Sequence, residues 1–346
     1  MVLYDLGPMV NVGIVGASGY TGAELLRICA QHPDLRVVYA TGDSQSGTLA
    51  SSLYPSLAVA YPNLVFEEFN VNRTDGLDLV FLGLPHEASM ELAPQLLGRV
   101  GCVVDLSAAY RLKDASLYPT WYGFEHDQPA LLSEAVYGLP ELYRSELPGA
   151  RLIATPGCYV TAASLALAPL IRGGIIAPTG IVVDAASGVS GAGRALKHSV
   201  HFGTVNEDFT AYGLVDHRHT PEIEQNIGGQ VIFTPHLAPM NRGILATCYA
   251  RPTGTVTTES LLATLAGFYA SEPFVVVRPA SPSTKATLGT NSVHLTARYD
   301  ARSGWVIVIA AIDNLCKGAS GGAVQAANVA LGLEETAGLQ TVGVYP

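Results

Sequence analysis

Residues 9–29 read M-V-N-V-G-I-V-G-A-S-G-Y-T-G-A-E-L-L-R-I-C, and this stretch decides the fold of the first half of the chain. A short β-rich run ends at Val15, glycines follow with the spacing G-x-x-G-x-x-G, and an apolar helical pattern begins after them. Glycine lets a backbone approach a pyrophosphate, and the following helix offers its unbonded N–H groups to the anion. The stretch therefore predicts a strand, a dinucleotide-binding turn and a helix.

The alternation of strand and helix continues through the first half of the chain. Apolar runs at 35–40, 77–82 and 100–106 have the length of strands, and residues 87–97 form a plausible crossover helix. Strands that alternate with helices indicate βαβ units and a parallel sheet.

The pattern changes after about residue 175. Further strand-length runs lie at 229–234, 244–251, 274–278, 292–299 and 304–312. Few helical segments separate them, the clearest being 258–269, so a mainly antiparallel sheet is expected. The predicted fold class is α/β, with an N-terminal Rossmann-type parallel sheet and a C-terminal α+β domain whose sheet is mainly antiparallel.

Composition and charge exclude several classes of protein. The formal net charge of −10 and the pI of about 5.3 argue against nucleic acid or an anionic membrane as the partner. Five scattered cysteines without a C-x-x-C pair predict neither a metal site nor a disulfide framework, and favour reduced thiols in the cytoplasm. No apolar run reaches the roughly 18–20 residues of a membrane span. The N-terminus also lacks the features of a signal peptide.

The segment Y-A-T-G-D-S-Q-S-G at 39–47, where the second predicted strand ends, bears on the choice of cofactor. An NAD site places an acid at this strand end to bind the ribose hydroxyls. Thr41 stands there instead. The hydroxyls of Thr41 and Ser44 suit a 2′-phosphate, whereas Asp43 would repel it. The segment favours NADP.

A cysteine stands where another helical pattern begins. Residues 154–167 read A-T-P-G-C-Y-V-T-A-A-S-L-A-L, in which Pro156 and Gly157 break the chain before Cys158. A helix N-terminus stabilises a thiolate through its dipole and its unbonded N–H groups. Together with a dinucleotide-binding domain, an activated cysteine indicates aldehyde–acyl redox chemistry, in which a thiolate adds to a carbonyl and hydride moves to or from nicotinamide.

The thiol needs a base, and the segment H-R-H-T-P-E-I at 217–223 contains the main candidates. His86, which follows a predicted strand of the first domain, is a weaker one. Pro221 stands at the start of a predicted helix that Thr220 is placed to cap. In an extended segment, His217 and His219 would point apart, so one of them would face the site. Two other histidines are expected at the surface: His32 and His126.

Two further segments have the character of binding sites. D-L-S-A-A-Y-R-L at 105–112 follows a predicted parallel strand, at the sheet edge where ligands collect. Ser107 and Arg111 both lie past the end of this strand, and Arg111 either clamps a phosphate or pairs with Asp114. S-G-V-S-G-A-G-R at 187–194 is a hydroxyl-rich loop after a strand and suits the approach of a cofactor.

Eight motifs follow one another from about residue 9 to the C-terminal region: G-A-S-G-Y-T-G-A-E, D-L-S-A-A-Y-R-L, Y-G-L-P-E-L, P-G-C-Y-V-T-A, S-G-V-S-G-A-G-R, H-R-H-T-P-E-I, F-T-P-H-L-A-P-M-N-R-G-I-L-A-T and A-I-D-N-L-C-K-G. Together they closely resemble the N-acetyl-γ-glutamyl-phosphate reductases, NADPH enzymes of arginine biosynthesis. Ala109 and Tyr110 depart from the family's more usual Asp-Phe. A sister reductase of lysine biosynthesis shares H-R-H-T but tends to read G-C-N, so P-G-C-Y favours the arginine enzyme.

The resemblance implies roles for the matching residues. Cys158 matches the nucleophile that forms a thioester, and His219 resembles the acid/base, with His217 as the alternative. Arg111 is similar in position to a phosphate-binding arginine of the aspartate-semialdehyde dehydrogenases. The predicted substrate-binding residues are Arg111, Ser107 and Glu222. The predicted NADP-binding residues are Gly16, Ser18, Gly19, Tyr20, Thr21, Thr41, Ser44, Gly191 and Asn314.

The implied reaction is the NADPH-dependent reductive dephosphorylation of N-acetyl-L-glutamyl 5-phosphate to N-acetyl-L-glutamate 5-semialdehyde. The implied domains are an NADP-binding Rossmann domain at 1–157, a catalytic and oligomerisation domain at 158–318, and a C-terminal helix at 319–346 that returns to the Rossmann domain. A homodimer or homotetramer is expected, with neither nucleic acid nor a membrane as partner. Three alternatives stay open: an aspartate-semialdehyde or glyceraldehyde-phosphate dehydrogenase, a nucleotide-binding sensor with an idle cysteine, and a structural scaffold.

Overall fold

The fold is described from a computed structural model, in which residues 9–345 are described. Residues 1–8, where the sequence predicts no signal peptide, and Pro346 lie outside the described residues. The chain divides into two compact units. Within the described residues, unit 1 comprises 9–115, 126–156 and 320–339, and unit 2 comprises 116–125, 157–319 and 340–345.

The strands, in chain order, are β1 (Val10–Val15), β2 (Leu35–Ala40), β3 (Leu79–Leu82), β4 (Cys102–Asp105), β5 (Val136–Tyr137), β6 (Leu152–Ala154), β7 (Ile181–Gly188), β8 (Thr210–Ala211), β9 (Val231–Ala238), β10 (Ile244–Ala250), β11 (Val275–Val277), β12 (Val293–Asp300) and β13 (Trp305–Ile312). The α-helices are α1 (Tyr20–Cys29), α2 (Ala50–Leu53), α3 (His86–Leu96), α4 (Tyr118–Tyr122), α5 (Pro129–Glu134), α6 (Pro140–Tyr143), α7 (Cys158–Arg172), α8 (Phe202–Val205), α9 (His219–Ile227), α10 (Thr258–Phe268) and α11 (Gly321–Ala330). Between residues 9 and 345, none of these helices is long and apolar enough to cross a lipid bilayer.

Unit 1 is built on a six-stranded sheet with the order β2-β1-β3-β4-β6-β5, in which all neighbouring strands are parallel. The central strands β3 and β4 are buried along their whole length, as is usual for parallel sheets. The strand order changes direction between β1 and β3, and ligands of such sheets bind at the carboxyl ends of the strands beside this point. The glycine turn that follows Val15 lies at this end of β1.

The C-terminal helix α11 is part of unit 1, where it contacts α1, α6 and β4. Its small side chains permit close packing, and its two polar ones are fully buried and hydrogen-bonded. The Nε2 group of Gln325 donates to Glu141 Oε1 at 3.0 Å and to Glu335 Oε1 at 2.8 Å. These bonds fix the helix within unit 1.

The prediction that His32 and His126 lie at the surface is wrong. His32 is buried, and both of its ring nitrogens have partners within the protein. Its Nδ1 accepts hydrogen bonds from the N–H groups of Asp34 and Leu35, and its Nε2 lies 3.1 Å from Asn328 Oδ1. The Nε2 of His126 lies 2.7 Å from the carbonyl oxygen of Ala109. Burial lowers the pKa of both imidazoles.

Unit 2 is built on a seven-stranded sheet with the order β11-β12-β13-β10-β7-β9-β8. The pairs β11/β12 and β7/β9 are parallel, and the other neighbouring pairs are antiparallel. Helix α7 packs on β10 and β13, and α10 packs on β12. The predicted fold class, a parallel Rossmann-type sheet followed by an α+β domain with a mainly antiparallel sheet, is confirmed.

Candidate active site

Cys158 is the first residue of α7, a helix whose middle is entirely buried. The residue before it, Gly157, is the N-cap and has an extended backbone with φ −65° and ψ 147°. The thiol is half-buried, and a thiol at this end of a helix lies in the field that favours the thiolate. The structure thus places the candidate nucleophile where the sequence predicted it.

The imidazole of His219 packs against Gly157. A Cβ atom built on Gly157 would lie only 2.7 Å from the Cδ2 and Cε1 atoms of His219. Carbon atoms in contact are about 3.5–4.0 Å apart, so glycine is the residue that leaves room for the ring here. The candidate acid/base therefore lies beside the residue that precedes the candidate nucleophile.

His217 and His219 lie close together, with ring centroids 4.8 Å apart. The expectation that they point apart is wrong, because the segment is not extended: Arg218 has helical angles, φ −56° and ψ −22°, and α9 begins at His219. The predicted cap is also wrong. The N-cap residue of α9 is Arg218, and its side chain makes no capping hydrogen bond. Thr220 and Pro221 lie inside the first turn of the helix. Instead, the Nδ1 atom of His217 accepts a hydrogen bond from the N–H of His219 at 3.1 Å.

Aromatic rings surround His217. The rings of Tyr159, Tyr212 and Phe233 meet it edge to face, with centroids 5.8, 5.6 and 5.1 Å away. Burial, followed by the positive charge of Arg218, lowers the pKa of His217 to about 4. His217 is therefore neutral at pH 7, and its Nδ1 is free of a proton because it accepts from His219.

Glu222 is buried directly beneath the start of α7. Its Oε1 atom accepts a hydrogen bond from the N–H of Gly157 at 3.0 Å, and the side chain is fully buried. The backbone carbonyl of Glu222 in turn accepts from Asn226 Nδ2 at 2.7 Å. Glu222 thus joins α9 to the N-cap of α7. Its predicted binding of substrate stays a prediction.

A pair of tyrosines that the sequence analysis did not single out lies beside the histidines. The hydroxyl of Tyr159 donates to the carbonyl oxygen of His236 at 3.0 Å and lies 3.2 Å from the hydroxyl of Tyr212. Burial raises the pKa of both phenols, that of Tyr212 to about 12. The sequence signal for Tyr159 is the motif P-G-C-Y, in which the tyrosine directly follows the candidate nucleophile.

Two predicted cofactor contacts, Gly191 and Asn314, are close to each other. A Cβ atom built on Gly191 would lie 2.9 Å from Ser187 Oγ and 3.7 Å from Asn314 Nδ2. The Oδ1 atom of Asn314 accepts from the N–H of Gly243 at 2.7 Å, and its Nδ2 donates to Ser190 Oγ at 2.9 Å. The asparagine therefore holds the glycine-rich loop that follows β7.

The glycine turn of unit 1 fits a pyrophosphate. Gly16 has φ +89°, and a Cβ atom there would lie 2.9 Å from the carbonyl carbon of Gly83, so the turn requires glycine. Gly19 is the N-cap of α1, and Ser18 is fixed by a hydrogen bond from its hydroxyl to the carbonyl oxygen of Gly42. Tyr20 and Thr21 are the first residues of α1. A helix N-terminus that follows a bare backbone turn is an anion site.

The end of β2 is joined to this turn. The Oγ1 atom of the buried Thr41 accepts a hydrogen bond from the N–H of Gly16 at 3.1 Å. Ser44 lies in the exposed turn Asp43–Gln45, and Asp43 has the left-handed angle φ +44°. Ser44 is thus open to a ligand, whereas the hydroxyl of Thr41 already bonds to the turn. Their roles toward a 2′-phosphate stay predictions.

The loop after β4 contains the other predicted substrate residues. Ser107 Oγ donates to Asp105 Oδ2 at 2.7 Å and accepts from the N–H of Ala109 at 3.0 Å. Arg111 is buried, and its Nη2 group donates to the carbonyl oxygen of Leu106 at 2.8 Å. Burial raises the pKa of Asp105. Both predicted binders shape this loop, and their contact with substrate stays a prediction.

The candidate catalytic groups of unit 2 have the chemistry of a nucleophile and a base. The thiol stands at a helix N-terminus, and the N-cap residue before it packs against the imidazole of His219. A thiol and an imidazole are the groups used for nucleophilic attack with proton transfer. Among residues 9–345, no three or more His, Cys, Asp or Glu side chains are grouped so as to hold a metal ion.

Comparison with known domain families agrees with both units. Residues 11–150 match the semialdehyde dehydrogenase NAD binding domain, and residues 158–314 match the semialdehyde dehydrogenase dimerisation domain. The structure of aspartate semialdehyde dehydrogenase II from Vibrio cholerae has a similar fold, with a TM-score of 0.69 and 16% identity over 93% of this chain and 98% of that one. The fold and the site together define a protein of the semialdehyde dehydrogenase class.

Relatives with higher sequence identity identify the family within this class. The N-acetyl-gamma-glutamyl-phosphate reductase of Symbiobacterium thermophilum is 49% identical over 97% of this chain and 99% of its own length. The reductase of the same name from Desulforudis audaxviator is 49% identical over 98% of this chain and 100% of its own length. The chain belongs to the family of N-acetyl-gamma-glutamyl-phosphate reductases.

Proposed function

We propose that this protein reduces N-acetyl-L-glutamyl 5-phosphate with NADPH, giving N-acetyl-L-glutamate 5-semialdehyde, phosphate and NADP⁺, in arginine biosynthesis. The observation that carries the proposal is the packing of His219 on Gly157, next to Cys158 at the N-terminus of α7. In this arrangement the thiol can attack a carbonyl carbon while the imidazole accepts the proton of the thiol. The names and full-length similarity of the relatives support the choice of substrate.

The first half of the reaction forms a thioester. The Sγ atom of Cys158 attacks the acyl carbon, a C–S bond forms, and the C–O bond to phosphate breaks. The thiol proton passes to His219 and neutralises the phosphate as it leaves. The N–H groups at the start of α7 are placed to stabilise the oxyanion that develops on the carbonyl oxygen.

The second half releases the aldehyde. NADPH, when bound, supplies the hydride that reduces the thioester carbonyl. Collapse of the resulting hemithioacetal oxyanion forms the C=O bond of the aldehyde and breaks the C–S bond, so that Cys158 leaves as the thiolate. A proton from water, passed through His219, then restores the thiol. The residues that would hold the cofactor's pyrophosphate belong to the glycine turn, Gly16 to Thr21, whose bare backbone at a helix N-terminus fits that group.

His219 is assigned as the residue that accepts the thiol proton because the ring contacts, the hydrogen bond and the pKa of His217 disfavour that role for His217. His217 is fixed by aromatic rings, and its Nδ1 is occupied by the N–H of His219. Its pKa of about 4 makes it a poor acceptor near pH 7, since a general base works best with a pKa near the operating pH. His217 instead orients the first turn of α9, on which His219 stands.

An apolar row on the open face of the seven-stranded sheet supports assembly into a homodimer. The residues Ile232, Val182, Tyr249 and Ile307 stand opposite one another on β9, β7, β10 and β13. Ile232 is 62% exposed. The open face of a sheet is ordinarily polar, so a second copy of the chain is the occupant that fits this row and the match of residues 158–314 to a dimerisation domain.

The proposed location is the cytoplasm, consistent with cysteines that form no disulfide among the described residues.

The assembly is tested by substituting one residue of the row. Ile307→Glu should shift the mass measured by light scattering to that of the monomer, because a buried unpaired charge opposes association. Val59→Glu is the control, since Val59 is 97% exposed and lies in unit 1. An Ile307→Glu protein with the mass of the wild type would contradict the proposed interface.

The reaction is tested in its reverse direction. The purified protein is incubated with NADP⁺, phosphate and N-acetylglutamate semialdehyde, and the absorbance of NADPH is followed. Parallel reactions contain aspartate semialdehyde or NAD⁺. Phosphate-dependent reduction of NADP⁺ with the acetylated aldehyde is expected. Reduction with aspartate semialdehyde alone would overturn the substrate, and reduction with NAD⁺ alone would overturn the cofactor.

A further inference from the structure

The motif M-N-R-G at 240–243 stands between β9 and β10, and the reaction described above gives it no role. Its backbone binds the glycine-rich loop along its length. The N–H of Gly188 donates to the carbonyl of Gly243 at 2.9 Å, that of Val189 to Met240 at 2.9 Å, and that of Ser190 to Asn241 at 3.2 Å. The loop proposed to face the cofactor therefore rests on this segment.

The side chain of Arg242 reaches from this segment to Asp313. Its Nε and Nη2 groups donate to the carboxylate at 3.0 and 2.9 Å, in a two-pronged pair. Asp313 is fully buried, and Arg242 is 23% exposed. A buried carboxylate is stable only when a cation and hydrogen-bond donors compensate its charge, and Arg242 is the cation of this pair.

The same carboxylate organises the turn that follows β13. Its Oδ1 atom accepts from the N–H groups of Leu315 at 2.9 Å and Cys316 at 3.0 Å. Its Oδ2 atom accepts from the N–H of Gly289 at 2.7 Å. Both oxygens are thus engaged by backbone donors as well as by Arg242, so the turn and the ion pair form one unit.

This turn sets two groups that matter for the reaction. One is Asn314, whose amide joins Gly243 of the M-N-R-G segment to Ser190 of the glycine-rich loop. The other is Gly318, in the π-helix Cys316–Ser320, whose N–H donates to the carbonyl oxygen of Asp313 at 3.0 Å. A Cβ atom built on Gly318 would lie 2.9 Å from Cys158 Cβ, so the π-helix packs against the nucleophile. Such single turns of π-helix occur often at functional sites.

We propose that Arg242 and Asp313 are a positioning pair, which sets the glycine-rich loop through Asn314 and the nucleophile through Gly318. The inference rests on the proposed reductase function and extends it to two residues outside the set predicted to bind substrate or cofactor. The M-N-R-G segment supplies the cation of the pair, the carbonyl groups that bind the glycine-rich loop, and the N–H group that orients Asn314. Gly243 makes this possible because its φ of +118° is open to glycine and strained for other residues.

The proposal is tested with Asp313→Asn and Arg242→Lys. Asparagine keeps the shape but loses one acceptor oxygen and the charge, and lysine keeps the charge but loses the two-pronged bond. The matched control is Asp300→Asn. Asp300 also accepts from the backbone of a turn, at 3.1 Å from the N–H of Arg302, and pairs with that arginine, but its side chain is 36% exposed. The control thus changes a similar aspartate outside the proposed network.

Five quantities are measured on each folded variant: the unfolding midpoint, kcat, the Kd for NADPH from its fluorescence, the alkylation rate of Cys158 with iodoacetamide, and the deuterium isotope effect on kcat with NADPH labelled at the transferred position. For Asp313→Asn, kcat should fall by about 10²-fold, as for reacting groups displaced by about 1 Å. Its isotope effect should rise because hydride transfer becomes slower than the other steps, and its alkylation rate should change. Arg242→Lys should change the same quantities in the same direction, by less.

A purely structural role predicts a different result. If Asp313→Asn and Arg242→Lys lower only the unfolding midpoint, as Asp300→Asn is expected to do, the positioning role is overturned. Should Asp313→Asn fail to fold, Arg242→Lys alone decides between the two results. A wild-type protein without reductase activity would refute the proposed function, while the Kd for NADPH and the alkylation rate of Cys158 would still decide whether the pair positions these groups.

Discussion

Substitution of Gly157 by alanine tests the central contact of the site. The backbone angles of Gly157, φ −65° and ψ 147°, are open to any residue, so alanine introduces no backbone strain. Its methyl group would stand 2.7 Å from the ring carbons of His219, against a normal carbon–carbon contact of about 3.5 Å. The imidazole must therefore retreat by roughly 0.8 Å or more.

The expected cost follows from that displacement. Overpacking of this kind destabilises a protein by about 1–3 kcal/mol, and a displacement near 1 Å of a reacting group lowers the rate by about 10²-fold. We therefore expect kcat of Gly157→Ala to be about 10²-fold below that of the wild type. The Kd for NADPH should be unchanged, because the glycine turn proposed to bind the pyrophosphate belongs to unit 1.

The assay is the rate of NADPH oxidation with the acyl phosphate, measured beside NADPH binding by fluorescence and unfolding by circular dichroism. Gly254→Ala is the control, since a Cβ atom there meets nothing within 4 Å and its φ is not left-handed. A Gly157→Ala protein with kcat within about twofold of the wild type would refute the reasoning, because the ring would then tolerate a displacement that should disable it.

Three other predictions concern the same site. Cys158→Ser should abolish turnover and leave the Kd for NADPH unchanged; turnover near the wild-type rate would remove the nucleophile assignment. His219→Asn should lower kcat by roughly 10²–10⁴-fold, and His217→Asn by less; equal, small losses would mean that neither is the acid/base. The pKa of His217 is lowered from 6.5 to about 4 in the folded protein, so its protonation favours the unfolded state. Stability from this group is complete above pH 6.5 and declines as the pH falls toward 4, by up to about 3 kcal/mol. Urea unfolding at pH 7.5 and 4.5 should show a smaller difference for His217→Asn than for the wild type, and equal differences would contradict this source.

Elements with a strong apolar period could be predicted closely from the sequence. The sequence predicts that a helix begins at Cys158, and α7 is Cys158–Arg172. It predicts a strand at 304–312, and β13 is Trp305–Ile312. These elements can be predicted because burial of one face gives the apolar residues a period of 3.6 in a helix or 2 in a strand. Cys158 could be located for the same reason, since it stands where a turn signal meets such a period.

Contacts between distant parts of the chain were not predictable in this way. The bond from the N–H of Gly157 to Glu222 joins residues 65 positions apart. The direction of His217 depends on where α9 begins. The local pattern indicates Thr220 as the cap, whereas the imidazole of His217 bonds the first turn of α9. The Arg242–Asp313 pair joins residues 71 positions apart, and neither has a local pattern that indicates the other.

The most direct test of the account is to trap the covalent intermediate. The protein is mixed with N-acetyl-L-glutamyl 5-phosphate in the absence of NADPH, quenched in acid, and digested for mass spectrometry. We expect an N-acetylglutamyl group on Cys158, removable by hydroxylamine and absent when NADPH is added before the quench. Full reductase activity with no adduct on Cys158, or an adduct that persists after NADPH is added, would contradict it.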